Sequence, residues 1–205
     1  MKKYSSYFLT SLLVVVLCAK VSCAVEIPSQ AFSINNATVG VTTLDEIQET
    51  YGIAKASRVS RDDEADITMC YVYSSAKEKS FLVFESGVMG SFKHITGFRI
   101  SALSPGGNCA PTRIDIGTLT TGNEVRLGQS LIDFKKSFPV EFRHQGSELI
   151  YETESQRTAT QEELKRLRTK WPNETQDYFD VTITVKAKFK RNRLVDLYVH
   201  KIESY

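Results

Sequence analysis

One stretch of this chain occurs twice, and that recurrence limits the folds open to it. Thr43-Leu44-Asp45-Glu46-Ile47-Gln48-Glu49-Thr50-Tyr51-Gly52-Ile53 returns at a constant offset as Ser130-Leu131-Ile132-Asp133-Phe134-Lys135-Lys136-Ser137-Phe138-Pro139-Val140. Each copy sets a hydroxyl residue where a helix N-cap belongs and an acid three residues later, which is the capping-box spacing. Leu44, Ile47 and Tyr51 fall on one helical face, and so do Leu131, Phe134 and Phe138. Gly52 and Pro139 stop the helices. The same start, stripe and stop predict a duplicated unit.

The segments after the two helices match in kind. Runs 69–73, 80–85 and 95–102 carry strand composition after the first, and 149–152, 181–190 and 194–202 after the second. The predicted fold is α+β: two tandem units, each a short helix packed on an antiparallel sheet, over 25–110 and 111–205. Their boundary falls in the turn-rich stretch 104–123, with Pro105, Gly106, Gly107, Pro111 and Gly122. The second unit carries an insertion, 156–175, whose charged part over 160–170 reads as a solvated surface helix. In the last hairpin the hydrophobic pattern asks for a three-residue loop, Arg191-Asn192-Arg193. That loop sets Phe189 opposite Val195, Ala187 opposite Leu197 and Lys188 opposite Asp196.

Residues 1–24 read as a cleavable signal peptide. Lys2 and Lys3 precede an apolar run over 8–19, and Ser22 and Ala24 supply small residues at the cleavage site. The run is far shorter than the about 20 residues of a spanning helix. Neither Cys18, preceded by Leu17, nor Cys23, with Lys20 three residues before it, makes an acceptable lipidation site. Loss of Lys2, Lys3 and Lys20 leaves 23 Lys and Arg (26 less these three) against 24 Asp and Glu. The near-neutral balance removes the electrostatic case for nucleic-acid binding. The expected location is the periplasm or the exterior, and no later run is long enough to cross a membrane.

Cys70 and Cys109 are then the cysteines left, and in an oxidising compartment the expectation is a disulfide. Closing a loop of roughly 40 residues stabilises a fold by about 3–4 kcal/mol in the chain-entropy account. A reactive thiol or a metal site is the alternative, but there is no CxxC and no histidine at zinc spacing.

The helix entries Val39-Gly40-Val41-Thr42-Thr43-Leu44 and Val125-Arg126-Leu127-Gly128-Gln129-Ser130-Leu131, each followed by hairpins, resemble two groups of exported helix-plus-sheet modules. These are the outer-membrane-assembly lipoproteins of the SmpA/OmlA type and the β-lactamase inhibitory proteins, which pair such modules in tandem. The resemblance implies modules that present a sheet face or loops to another protein. The chain departs from the lipoprotein group in its leader and from both groups in its second-unit insertion. No partner-contacting residue carries over.

The sequence holds no GxSxG, HExxH, P-loop, GxGxxG or EF-hand pattern. The acidic run Asp62-Asp63-Glu64-Ala65-Asp66 lacks the glycine and final glutamate of a calcium loop and reads as a solvated linker. The surface feature of note is cationic. In 181–190 Val181, Ile183, Val185, Ala187 and Phe189 alternate with Thr182, Thr184, Lys186, Lys188 and Lys190, and Arg191 and Arg193 extend the charge. The stripe suits an anionic partner or simply keeps a sheet face soluble. The functional expectation is an exported, non-enzymatic module that binds another protein, without cofactor, metal or nucleic acid. The rival is an envelope-associated ligand-binding or hydrolytic protein with a cleft between the units.

Overall fold

Local hydrogen bonds start the helices where the sequence places them. The computed structural model describes residues 26–61, 64–76, 78–173 and 175–205. Residues 1–25, with Cys18 and Cys23 and the expected leader, and Asp62 and Asp63 of the acidic run, lie outside the described residues. In α1 (Leu44–Tyr51) the Glu46 N–H donates to Thr43 Oγ1 at 3.3 Å and the Thr43 N–H to Glu46 Oε2 at 2.7 Å, a closed capping box. Gly52 ends the helix with φ +101°, a conformation L side chains rarely adopt. Helix α2 (Leu131–Ser137) starts the same way, with the Asp133 N–H on Ser130 Oγ at 3.2 Å. Leu44, Ile47, Tyr51, Phe134 and Phe138 are buried, and Leu131 is half-buried against the same core.

The strands are β1 (Ser33–Ile34) and β2 (Ala37–Thr38), a small ribbon before α1, then β3 (Ser57–Arg61), β4 (Glu64–Ser74), β5 (Lys79–Ser86), β6 (Gly97–Ser101) and β7 (Ala110–Pro111). After α2 come β8 (Arg143–Gln145), β9 (Glu148–Thr158), helix α3 (Gln161–Lys170), β10 (Tyr178–Lys190) and β11 (Arg193–Ser204). The fold is α+β. One nine-stranded sheet runs β3-β4-β5-β6-β11-β10-β9-β8, with β7 parallel to β4 on its outer edge and every other pairing antiparallel. Each helix is thus followed by a four-strand meander, and the two meanders meet through their last strands, β6 and β11.

Because side chains alternate along a strand, register sorts them into rows across the sheet. One row on the helix side reads Tyr71, Leu82, Ile100, Leu197, Ala187 and Leu149, all buried. Each helix closes an aromatic knot at its own end: Tyr51 with Tyr71 and Phe84, and Phe134 with Phe138, Phe142 and Phe189, at centroid distances of 5.0 to 6.4 Å. Burial raises the phenol of Tyr71, with Tyr51 beside it, to about 12. Its hydroxyl donates to the Gly52 carbonyl at 3.0 Å, so the buried polar tip is satisfied.

Three expectations are corrected. The acidic run is no linker, because Ala65 and Asp66 pair with Ser60 and Val59 in the β3–β4 hairpin; ladder pairing there outweighs polar composition. The helix-bearing connection occupies 159–177 and not 156–175, because Gln156, Arg157 and Thr158 extend the ladder opposite Asp180, Phe179 and Tyr178. The last hairpin turns on Arg191 and Asn192 alone, both left-handed (φ 52° and 61°), the two-residue turn that matches strand twist. Phe189 then faces Leu194, while Lys188 still faces Asp196 and Ala187 still faces Leu197. Val195 is the extra residue, a β-bulge that satisfies the turn and the hydrophobic register together. Leu194, at 1% exposure, takes the core position expected of Val195.

Candidate functional site

α1, α2 and the core close one face of the sheet, and the other, the open face, carries its own rows of side chains, some of them buried. A row along it reads Cys70, Val83, Arg99, Tyr198, Lys186, Ile150 and Arg143, and the next reads Thr68, Glu85, Gly97, His200, Thr184 and Glu152. The face crosses from one meander to the other without a break in hydrogen bonding. At its centre Tyr198 stacks on His200, centroids 5.8 Å apart and planes 12° apart. Bare Gly97 makes room for that stack, since a Cβ there would stand 2.7 Å from the His200 ring. The Tyr198 hydroxyl donates to Glu85 Oε2 at 2.8 Å, which ties β11 to β5 across β6.

Arg99 donates to both Asp196 oxygens, Nε to Oδ1 at 2.7 Å and Nη2 to Oδ2 at 2.9 Å. The fork geometry and the carboxylate's burial, at 3% exposure, make this a strong charge-assisted pair. It raises the Arg99 guanidinium above its ordinary range, chiefly through those hydrogen bonds.

The cationic stripe lies at the far end of this face. Lys186 sits 3.5 Å from Glu152, which also accepts from Arg143 at 3.2 Å. Lys188 is exposed and opposite Asp196, whose two oxygens go to Arg99 instead. Lys190 and Arg191 are exposed at the hairpin, and Arg193 donates to the Gly128 carbonyl at 3.1 Å. Lys186 and Lys188 therefore share the open face, while Arg193 is bound to the α2 approach.

Cys70 and Cys109 form a disulfide with Cα atoms 4.6 Å apart. It sits beside the β4–β7 pairing and pins the segment ending at Cys109 to the open face. The Ala102 N–H donates to the Val195 carbonyl at 2.8 Å, which continues the β6–β11 pairing by one residue, and the Leu103 N–H to Ser101 Oγ at 2.9 Å. Between this loop and strands β4 to β6 lies a cavity of about 370 Å³.

A second cavity, about 450 Å³, opens on the helix side between Val39–Val41, Met89–Ser91 and the α3 base. Its charged groups are committed to one another. Arg157 donates to both Glu163 oxygens at 2.8 and 3.0 Å and to Glu203 at 2.7 Å, and lies 4.4 Å over the Phe179 ring. The Arg157 hydrogen bonds, then the Thr160 backbone, hold Glu163 down to about 2. Burial pushes Glu203 up, but hydrogen bonds from Arg157 and Lys201 outweigh it and leave its pKa lowered. This cluster locks α3, itself started by a Thr160–Glu163 capping box, onto the sheet.

Sequence reasoning misses Arg99, Glu85 and Tyr198, whose partners lie in distant strands, and Arg157, which joins Glu163 on α3 to Glu203 on β11. The alternation of Asp196, Tyr198 and His200 along β11 is the one legible signal. Among the described residues no three His, Cys, Asp or Glu side chains converge to hold a metal, and no helix is long and apolar enough to cross a membrane. Comparison with protein-family models finds no match, and comparisons with curated proteins and with solved structures find none either.

Proposed function

We propose that this chain is an exported, non-enzymatic protein-binding module, built of two copies of one helix-plus-meander unit, whose docking surface is the open face of its sheet. The observation that carries the reading is the unbroken β6–β11 junction, which makes one broad surface of two meanders and sets Tyr198, His200 and Arg99 at its middle. Tyrosine and arginine at the centre of a patch, with charged residues toward its rim, are the composition of protein interfaces. The disulfide fits an oxidising compartment and so an extracytoplasmic protein. In the rival reading a ligand occupies the helix-side cleft. There the Arg157, Glu163 and Glu203 groups already saturate one another, which leaves little to recognise a ligand.

The test is affinity capture from an envelope extract of the producing organism with three baits: the mature chain, its Lys186→Glu/Tyr198→Ala variant, and its Ile132→Glu variant on the opposite side. A stoichiometric protein retained by the first and third baits and lost by the second supports the reading. No partner, or one indifferent to the open-face changes, rejects it.

A further inference from the structure

The sheet ends unevenly on the β8 side. β9 pairs with β10 along its whole length, from Glu148 opposite Lys188 to Thr158 opposite Tyr178. On its outer side β8 reaches from Glu148 to Ile150 and stops, which leaves β9 an edge over 152–158. The Ala159 N–H donates to the Asp177 carbonyl and the Phe189 N–H to the Ser147 carbonyl, so the odd-numbered positions of β9 bond toward β10. Bonding direction alternates along an antiparallel ladder, and Glu152, Glu154, Gln156 and Thr158 therefore turn their N–H and C=O outward. Among the described residues no other backbone group bonds to this outer side. All four residues are exposed, and the stretch has neither the proline nor the bulge that commonly blunts an edge.

We infer that this edge pairs with its own copy: β9 of a second molecule lies antiparallel to it about a two-fold axis through Ser155. An isologous contact requires each residue to suit its counterpart, and this strand meets that condition in one register. With Ser155 opposite itself, Glu152 faces Thr158, Thr153 faces Arg157 and Glu154 faces Gln156, so the acids meet a hydroxyl and an amide. Every outward N–H and C=O over 152–158 then gains a partner. A shift of the axis to Glu154 sets that acid against itself, and like charges directly opposite destabilise a pair. A shift to Gln156 sets Glu152 opposite Thr160, whose N–H already bonds Glu163 at 2.8 Å. A strand of another protein could use the same backbone groups, but the match of length and charge is to β9 itself. Pairing joins two sheets into one, with both open faces on the same side. The contact belongs to the rim of the sheet and stands whether or not the open face docks a partner.

Sedimentation equilibrium of the oxidised protein should show monomer and dimer in exchange. Gln156→Glu sets an acid opposite Glu154 twice per interface and should weaken the dimer by about fivefold or more. Gln156→Lys keeps a donor for Asp180, makes two opposite-charge pairs and should tighten the dimer by a similar factor, a gain that no folding defect can produce. Cysteine reads the register. Non-hydrogen-bonded partners in such a ladder stand about 4.5 Å apart, within disulfide reach. Ser155→Cys should therefore cross-link to its own copy on mild oxidation, and Thr153→Cys should not. A monomer up to about millimolar concentration, a dimer indifferent to both Gln156 changes, or a cross-link at Thr153→Cys and not at Ser155→Cys overturns the inference. So does a monomer whose 152–158 edge takes up a strand of another protein instead.

Discussion

Arg99 on β6 grips Asp196 on β11 through a two-point hydrogen bond, and this pair rivets one meander to the other. Its members are unequal: Asp196 is 5% exposed at its side chain and Arg99 38%. Removing the arginine strands a buried carboxylate, whereas removing the acid leaves a guanidinium that can turn to water. Arg99→Leu should therefore cost about 3 kcal/mol and Asp196→Asn about half as much in urea melts. Equal and near-zero costs would show that the pair holds nothing together.

The bulge in the last hairpin makes a positional prediction. Leu194→Ala should lower stability by about 2–4 kcal/mol, because Leu194 is 1% exposed, while Val195→Ala should cost less than about 1 kcal/mol. The turn predicts a gain. Two left-handed residues suit Asn-Gly far better than Arg-Asn, so Arg191→Asn/Asn192→Gly should add about 1 kcal/mol.

The disulfide is checked by mass and by melting. Unreduced protein should weigh two hydrogens less than its reduced form. Replacing Cys70 and Cys109 together by serine should cost roughly 3 kcal/mol by restoring freedom to the unfolded chain. It should also loosen the loop carrying Gly106 and Gly107, seen as faster amide exchange there.

Acid should release α3 before the rest of the fold. Glu163 sits near 2 when folded against an ordinary 4.5, so its stabilising contribution is complete above about 4.5 and is lost as pH falls toward 2. The chain's only tryptophan, Trp171, stacks on Tyr205 just past the helix and reports the event by fluorescence. A Trp171 transition between about pH 4.5 and 2 that Glu163→Gln removes is the expected result. A transition unchanged in that variant would place the acid-sensitive group elsewhere.

Features written in short-range chemistry are legible in the sequence. Thr43, Ser130 and Thr160 cap helices through residues three positions away, and among the described residues Cys70 can find only Cys109. Other features have no short-range trace. β3 and β8 are short and mostly polar, without a hydrophobic period of their own, and exist because β4 and β9 offer them edges. Arg99 and Asp196 are 97 positions apart, and neither advertises the other. The last hairpin departs by one residue from its expected loop because hydrophobic register and turn chemistry, competitors in the sequence, both stand once Val195 bulges. The open face shows in the sequence at its cationic end and in the alternation of Asp196, Tyr198 and His200, while its centre is assembled only once β6 and β11 are paired.

That pairing also orders events as the chain leaves a ribosome. Of the described strands, β11 emerges last, yet it fills the middle of the sheet, between β6 and β10. Until it arrives, β6 holds a bare edge beside buried Phe98 and Ile100, which invites pairing with any other strand at hand. The contact that ends this exposure spans much of the chain, so its loop-closure entropy makes it a slow step. A chain lacking β11 should thus be retained by chaperones and aggregate, although every residue of the first meander is present.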